Sequence, residues 1–493
     1  MVERYKDVIK HYFKNHSLVE SNLQSFDNFL DKGLQEIVDA NKEIIPTVIP
    51  NEINDLKIML GKVKVGKPRI TEADGSHKDV YPMEARLRKL TYSAPIELDV
   101  STIVDGVERE AFTTEIGKVP IMVRSKHCHL HGLNHDQLVE KYEDPTDPGG
   151  YFVLNGNERV LITVEDLASN KLLIEKQKVG PSKFTAKIFS EEGSFRIPHL
   201  IEQMKDGVMY LSFTRFKRVP IVLVIKALGF VKDQDIAGLI SETEQFDDVF
   251  INLYENVDIK TQDEALETLA KKIGIVQKEE MIERVTGLLD RYLLPHLGTD
   301  TEDRKMKAYN LCKYIRRFLL VITNNLKLED KDHLMNKRLK LSGDVLGDLF
   351  RVNVKSLVQD IMYNFQRLVK RGKFHSSKII IRDQLLTSRV KSALATGIWV
   401  GGRKGISQNM DRTNFTATIS HLQRVVSLLS ATQENFEARA LHPTHWGRLG
   451  PIETPEGTPI GLRKNKAMMA KVTQGSYVED KLKKQLEGLG LKW

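Results

Sequence analysis

The chain has 493 residues, 41% of them apolar and 28% charged, enough to build sizeable cores divided over two to four domains. Its two cysteines, Cys128 and Cys312, exclude a disulfide framework and suit a reducing compartment. No apolar run reaches membrane-spanning length, so a soluble, cytoplasmic protein is expected. A formal charge of +8 with a pI near 9.0 favours nucleic acid as a partner without identifying one.

The first 45 residues carry helical spacing: Tyr5, Val8, Ile9, Tyr12 and Phe13, then Leu18, Leu23, Phe26 and Leu30, with Pro46 and Pro50 as the stop. Between Val63 and Val123 short alternating runs such as 96–100 and 119–123 predict strands, and hence a mixed α/β domain. His127, Cys128, His129, His131 and His135 crowd together, but their adjacency fits neither common zinc-ligand spacing. Partly exposed polar residues at a strand end are expected there, with no metal. In the run 147–162, two β-rich segments flank Asn155-Gly156, whose two residues suit the positive φ values of a tight hairpin.

From about Glu165 to Asp330 the composition changes. The stretch 232–267 is rich in Asp and Glu and is expected to be a solvated face that does not grip phosphate, with helical patterns at 265–275 and 284–292 following it. Basic residues return at 330–343. A helix from Val345 to Lys370 is then predicted, closed by the cations of Lys370-Arg-Gly-Lys373. Val400-Gly-Gly-Arg-Lys-Gly405 is a glycine-flanked basic loop able to bring backbone N–H groups, Arg403 and Lys404 to phosphates. Gly397 and Gly402 mimic P-loop spacing, yet Arg403 stands at the lysine position and no Ser or Thr follows, so an NTPase is rejected.

The densest stretch is 407–462. At about 100° per residue, Phe415, Ile419, Leu422, Val426 and Leu429 fall on one stripe and Ser420, Gln423, Arg424 and Ser427 on the other side, which predicts an amphipathic helix capped by Thr413 or Asn414. Leu429 to Asn435 reads as an exposed loop. Thr454-Pro-Glu-Gly457 predicts a rigid type I turn that holds Glu456 outward, where a carboxylate can orient a cation from a partner.

Ser420-His-Leu-Gln-Arg-Val425, His442-Pro-Thr-His-Trp-Gly-Arg448 and Pro451-Ile-Glu-Thr-Pro-Glu-Gly457, in this order, resemble the fork region of the second-largest subunit of multisubunit RNA polymerases. The run Gly149-Gly-Tyr-Phe with Asn155-Gly156, the run 330–343 and the 392–399 segment resemble signatures of the same family, so the likeness covers nearly the whole chain. It implies an α+β multidomain fold: protrusion at 1–165, an inserted lobe at 166–330, protrusion again at 331–390, fork at 391–472 and a tail at 473–493. The 400–405 and 429–435 loops correspond to the two fork loops, the second of which carries no Lys or Arg here. The point at which the sequence stops resembles the archaeal arrangement in which this polypeptide is encoded in two pieces, the present one being the N-terminal piece, B double-prime.

The resemblance further implies contacts to template DNA and the RNA–DNA hybrid from Arg403, Lys404, Gln408, Arg412, His421, Gln423, Arg424, Arg439, Arg448, Arg463 and Lys464, with Glu456 supporting the active centre. It implies no metal or cofactor held by this chain, the Mg2+ being held by the largest subunit. The implied partners are the C-terminal piece, the largest subunit and other polymerase subunits, with no membrane. Two other classes are set against this reading: an independent nuclease or NTPase, for which no metal or phosphate motif is found, and a free-standing DNA-binding regulator, suggested by charge alone.

Overall fold

The computed structural model describes residues 2–50, 53–72, 74–177, 180, 182–193, 195–241, 246–275, 281–323, 325–372, 377–473 and 479–489. The Tyr5 side chain, Lys373, residues 242–245 of the acidic stretch and the tail end at Trp493 lie outside the described residues. The chain is α+β and divides into two compact units, Met1–Asp166 with Leu339–Trp493, and Leu167–Arg338.

In the first unit the N-terminal helical pattern becomes the helices Val2–Asn15, Glu20–Asn28 and Leu34–Asp39, the last two joined through one π-helical turn, Phe29–Gly33. A four-stranded antiparallel sheet follows, in the order Glu43–Ile44, Leu56–Val65, Ser93–Val104, Val107–Pro120. Along Ser93–Val104 the side chains of Ile96, Leu98 and Val100 are buried at alternate positions, as the period of a strand with one core face requires. The helix Ser342–Lys370 starts three residues before the expected Val345, because Asp344 accepts the Leu341 N–H at 2.9 Å and ties off the first turn. It packs on the N-terminal helices through Gly343, where a Cβ would lie 2.0 Å from the Ser25 carbonyl oxygen, so only glycine permits this approach. An edge-to-face pair, Phe29 on Phe350 at 5.2 Å, seals this junction, and Phe26 meets Phe152 of the strand Phe152–Leu154 in the same way at 5.5 Å.

The Asn155-Gly156 hairpin forms as expected between Phe152–Leu154 and Asn157–Leu161, with φ of 51° and 80° at the two turn residues. Ser407–Asn409 adds to the outer strand, Gln408 opposite Val160, so residues from two distant parts of the sequence share one sheet. The histidines of the 127–135 cluster are partly exposed as expected, whereas Cys128 among them is buried. Cys128 is 1% exposed and its Sγ accepts the Tyr92 hydroxyl at 3.3 Å, while His129 Nε2 meets the Pro68 carbonyl at 2.9 Å and His127 meets Asp31 at 3.2 Å. Folding back against Tyr92, just ahead of the Ser93–Val104 strand, buries the sulfur, and burial pushes its thiol pKa upward.

The second unit is a five-stranded antiparallel meander, Leu172–Lys176, Phe184–Glu192, Phe195–Gln203, Met209–Phe213 and Phe216–Pro220, followed by helices. The acidic stretch forms Asp233–Ile240, Asp247–Tyr254 and Gln262–Ile273, the last opened by a Thr261–Glu264 capping box and ended by Gly274 at φ 83°. Its fully buried Lys226 is neutralised by Asp233 at 2.8 Å and by the Asn256 and Ile259 carbonyls.

Candidate nucleic-acid interface

The helix at the centre of the motif-rich stretch is shorter than its apolar period predicts. It spans Phe415–Leu422, and Arg424–Ser427 is a strand, not a continuation. Asn414, not Thr413, is the cap: its Oδ1 accepts the Ala417 N–H at 2.7 Å, and Thr413 is engaged with Asp411. The physical reason for the early stop lies in Val425 and Val426. They pair in parallel with Thr163 and Val164 and antiparallel with Lys464 and Arg463, and stiff β-branched side chains fit that pleat better than a helix. Consequently Phe415 and Leu429, which the helical stripe would bury, are 59% and 44% exposed.

The strand pairing sorts the cations by face. Arg424 stands opposite Asn465, and Arg463 stands opposite Val426, so the two arginines are diagonal neighbours on one face of the ribbon. Among the described residues neither guanidinium has a carboxylate within ion-pair distance. Burial and then the charge of Arg463 push the Arg424 pKa below its ordinary value, against the weaker pull of Glu453 and Asp411. Lys464, one residue on, points to the other face, opposite Val425. There it is buried and sits 3.0 and 3.2 Å from the two oxygens of buried Glu165. Lys464 is therefore bound into the fold.

Other expected contact residues divide the same way. Arg412 donates to Glu158 at 2.6 and 3.0 Å and to Asp147 at 2.8 Å and lies over the Tyr151 ring, while Arg86 bonds Glu158, Glu143 and the Tyr151 hydroxyl from beside it. Arg439 donates to four backbone carbonyls, those of Ala431, Gln433, Thr458 and Ile460. It fastens the 429–435 loop to the chain after the acidic motif. Arg403 lies 3.5 Å from Asp166, Lys404 is exposed, and Arg448 is exposed with one bond to the Thr444 carbonyl.

His421 is 3% exposed and acts as a neutral connector. Its Nδ1 accepts the Asp411 N–H at 3.1 Å and its Nε2 donates to Gln408 Oε1 at 3.2 Å. Burial, with Arg424 adding repulsion, lowers its pKa to about 4, so it carries no charge at neutral pH. Gln423 is 8% exposed, and its carbonyl accepts the Lys466 N–H.

The acidic motif does not form the expected turn over 454–457. Thr454 spends its hydroxyl on the 461–463 chain, donating to the Arg463 carbonyl and accepting from the Gly461 N–H, both at 2.9 Å. This holds the segment open, and the turn forms instead from Gly457, φ 78°, to Ile460. Glu456 is exposed beside that turn. Neighbouring Glu453 is bonded by the Ser420 hydroxyl, which also accepts from Asn465 Nδ2.

The sequence reading missed the counter-charges Asp147, Glu158 and Glu165, and Lys466. Strand alternation is the signal that separates Arg463 from Lys464 once the 463–465 strand is recognised. Lys466 is 6% exposed, has no side-chain partner among the described residues, and is pushed down to about 8 by burial. Cys128 and Cys312 are both free and buried, and among the described residues no group of His, Cys, Asp and Glu is placed to hold a metal ion. No helix among those residues is long and apolar enough to cross a membrane.

Two family models match this chain. The one described as RNA polymerase beta subunit covers residues 17–388, and RNA polymerase Rpb2, domain 3 covers 408–472. DNA-directed RNA polymerase subunit Rpo2 of Saccharolobus solfataricus is 44% identical over 96% of the chain, which spans only 42% of that relative's length. Subunit Rpo2N of Methanocaldococcus jannaschii is 42% identical over 95% of both chains, and Rpo2N of Halobacterium salinarum is 40% identical over 99% of this chain and 96% of its own. With three-quarters of its length under one family model and relatives matched almost end to end, this chain belongs to the RNA polymerase beta-subunit (Rpb2) family.

Proposed function

We propose that the chain works as the N-terminal piece of a divided second-largest RNA polymerase subunit, the archaeal B double-prime arrangement, forming one side of the DNA cleft. The observation that carries this reading is the end-to-end likeness to relatives named Rpo2N, beside the 42% coverage of the undivided Rpo2. In this reading the 400–405 and 429–435 loops are fork loops, and Arg424 and Arg463 face nucleic-acid phosphate. Two adjacent guanidiniums without carboxylates gain most from a polyanion, which supports that placement. The partners are a C-terminal piece, the largest subunit, other polymerase subunits, template DNA and the RNA–DNA hybrid. Exposed Phe436, Trp446 and Ile452, 81%, 90% and 88% accessible, are suited to docking against such subunits.

Nucleotidyl transfer is assigned to the assembled enzyme, with Mg2+ held by the largest subunit, and this chain's part is to position nucleic acid. In this reading exposed Glu456 pairs with a cation from the partner piece near the incoming nucleotide. Glu456→Gln is expected to slow nucleotide addition in the assembled enzyme while leaving DNA affinity unchanged, and an unaltered addition rate removes it from the active centre. The reading as a whole is tested by pull-down of tagged chain from its native extract followed by primer extension on the eluate. Co-recovery with a largest subunit and a C-terminal piece, and activity only in that complex, is expected. A solitary chain that binds duplex DNA tightly would instead make it a free-standing regulator.

A further inference from the structure

The first unit contains a second basic site, lined by none of the residues named above for nucleic-acid contact. A cavity of about 290 Å3 is bounded by Arg69, Lys89, Thr91, Lys118, Asn155 and Lys391 over an apolar floor that includes Leu90. Among the described residues four cations line it and no carboxylate does. Arg69 is shared with Glu97 at 3.4 Å and Glu115 at 3.9 Å, whereas Lys89, Lys118 and Lys391 have no carboxylate within ion-pair distance among the described residues.

The fold builds this cluster from separate elements. The Asn155-Gly156 turn packs so closely on the preceding loop that a Cβ at Gly156 would lie 3.0 Å from Lys89 Cα, which fixes Lys89 beside the hairpin. The Lys118 N–H donates to Thr387 Oγ1 at 2.9 Å, drawing the helix Asp383–Thr396 onto the strand; Lys391 is one helical turn further on. Thr91 and Asn155 are tied to each other, Asn155 Oδ1 accepting the Thr91 hydroxyl at 3.1 Å. The Asn155 amide NH2 keeps its donors unspent among the described residues.

Three ammonium groups beside a free amide donor suit a tetrahedral anion carrying more than one charge, which accepts from many directions. A planar carboxylate is served better by a guanidinium fork. Among the described residues no aromatic side chain lines the cavity, so they offer no platform on which to stack a base. We propose that this cavity is a phosphate-binding site, taking either a free oligophosphate or a phosphate of a nucleic-acid backbone. The proposal does not depend on the polymerase reading.

The test uses the full-length chain and two probes: inorganic tripolyphosphate by titration calorimetry, and a 20-base-pair duplex by fluorescence anisotropy over a salt series. Lys118→Gln/Lys391→Gln is expected to weaken tripolyphosphate at least tenfold, with Lys272→Gln, at an exposed position of the second unit, leaving it unchanged. If the occupant is a backbone phosphate, the double variant also makes the duplex salt slope shallower by about 2, since each neutralised phosphate contributes roughly 0.9. An unchanged slope with lost tripolyphosphate binding identifies a free oligophosphate. Lys89→Gln, at an exposed position, repeats the measurement should the double variant melt early. Equal binding of both probes by the parent and the variants overturns the proposal.

Discussion

Arg424 and Arg412 look alike in the sequence, two arginines twelve positions apart flanking one short helix, yet the fold uses them in opposite ways. Arg412 is wedged between Asp147 and Glu158 over the Tyr151 ring, where it ties the fork stretch to the hairpin. Arg424 is half-buried beside Arg463 with no carboxylate against it. The same contrast separates adjacent Arg463 and Lys464, on opposite faces of one strand. Positive charge in such a stretch is therefore of two kinds: cations spent on holding the fold, and cations left short of a counter-charge that an outside anion can supply.

The largest expected effect comes from the first kind. Lys464→Ala removes the ammonium that faces both oxygens of Glu165, which is 4% exposed, and breaking such a buried pair costs about 3–5 kcal/mol. Denaturant unfolding should show that drop, and Lys464→Met combined with Glu165→Leu should recover most of it. A single variant as stable as the parent would mean that Lys464 is not structural.

Lys466 inverts the comparison within the same buried face. Its pKa falls from 10.5 unfolded to about 8 folded, with burial as the sole cause. Between pH 8 and 10.5 the unfolded state then binds more protons than the folded one, so this residue's penalty is full below pH 8 and fades as pH rises toward 10.5. Lys466→Met should raise the melting temperature at pH 7.5, by up to about 3 kcal/mol of stability, and the advantage over the parent should shrink by pH 10. A pH-independent difference would show that Lys466 stays charged throughout.

For the second kind, Arg424→Ala should leave the melting temperature nearly unchanged while weakening the nucleic-acid complex of the assembled enzyme by about 1–3 kcal/mol. Complex lifetime across a salt series checks this, and an unchanged lifetime would move Arg424 into the structural group.

Much of this was legible before the fold was known. The hairpin follows from Asn155-Gly156, and the N-terminal helices follow from a clear 3.6-residue period. The fork helix is predicted too long because Val426 fits the helical stripe as well as it fits a strand over so short a run, and the strand partners of Val425 and Val426, 163–164 and 463–464, lie far off in sequence. The open course of 454–457 was hidden for the same reason: Thr454 finds its bonds nine residues away at Arg463. Which cations are spent depends on carboxylates hundreds of positions distant, Glu158 for Arg412 and Glu165 for Lys464, and local pattern carries no information about them.

The smallest expected effect belongs to Arg439, which sharpens the division because it is neither paired with a carboxylate nor left unpaired. All four of its bonds go to backbone carbonyls, on the 429–435 loop at one end and at 458–460 on the other. Those carbonyls lie in exposed chain, so when the guanidinium is removed water can replace it and global stability should fall by no more than about 1 kcal/mol. What is lost is the fastening between the two loops. Hydrogen exchange in 429–435 and 457–461 should therefore quicken in Arg439→Ala, with protection in the Ser93–Val104 strand unchanged. Arg439→Lys should restore little, because one ammonium cannot span carbonyls that a planar fork reaches together. If exchange in both loops matched the parent, Arg439 would have to be counted with Arg424 among the cations kept for an outside partner.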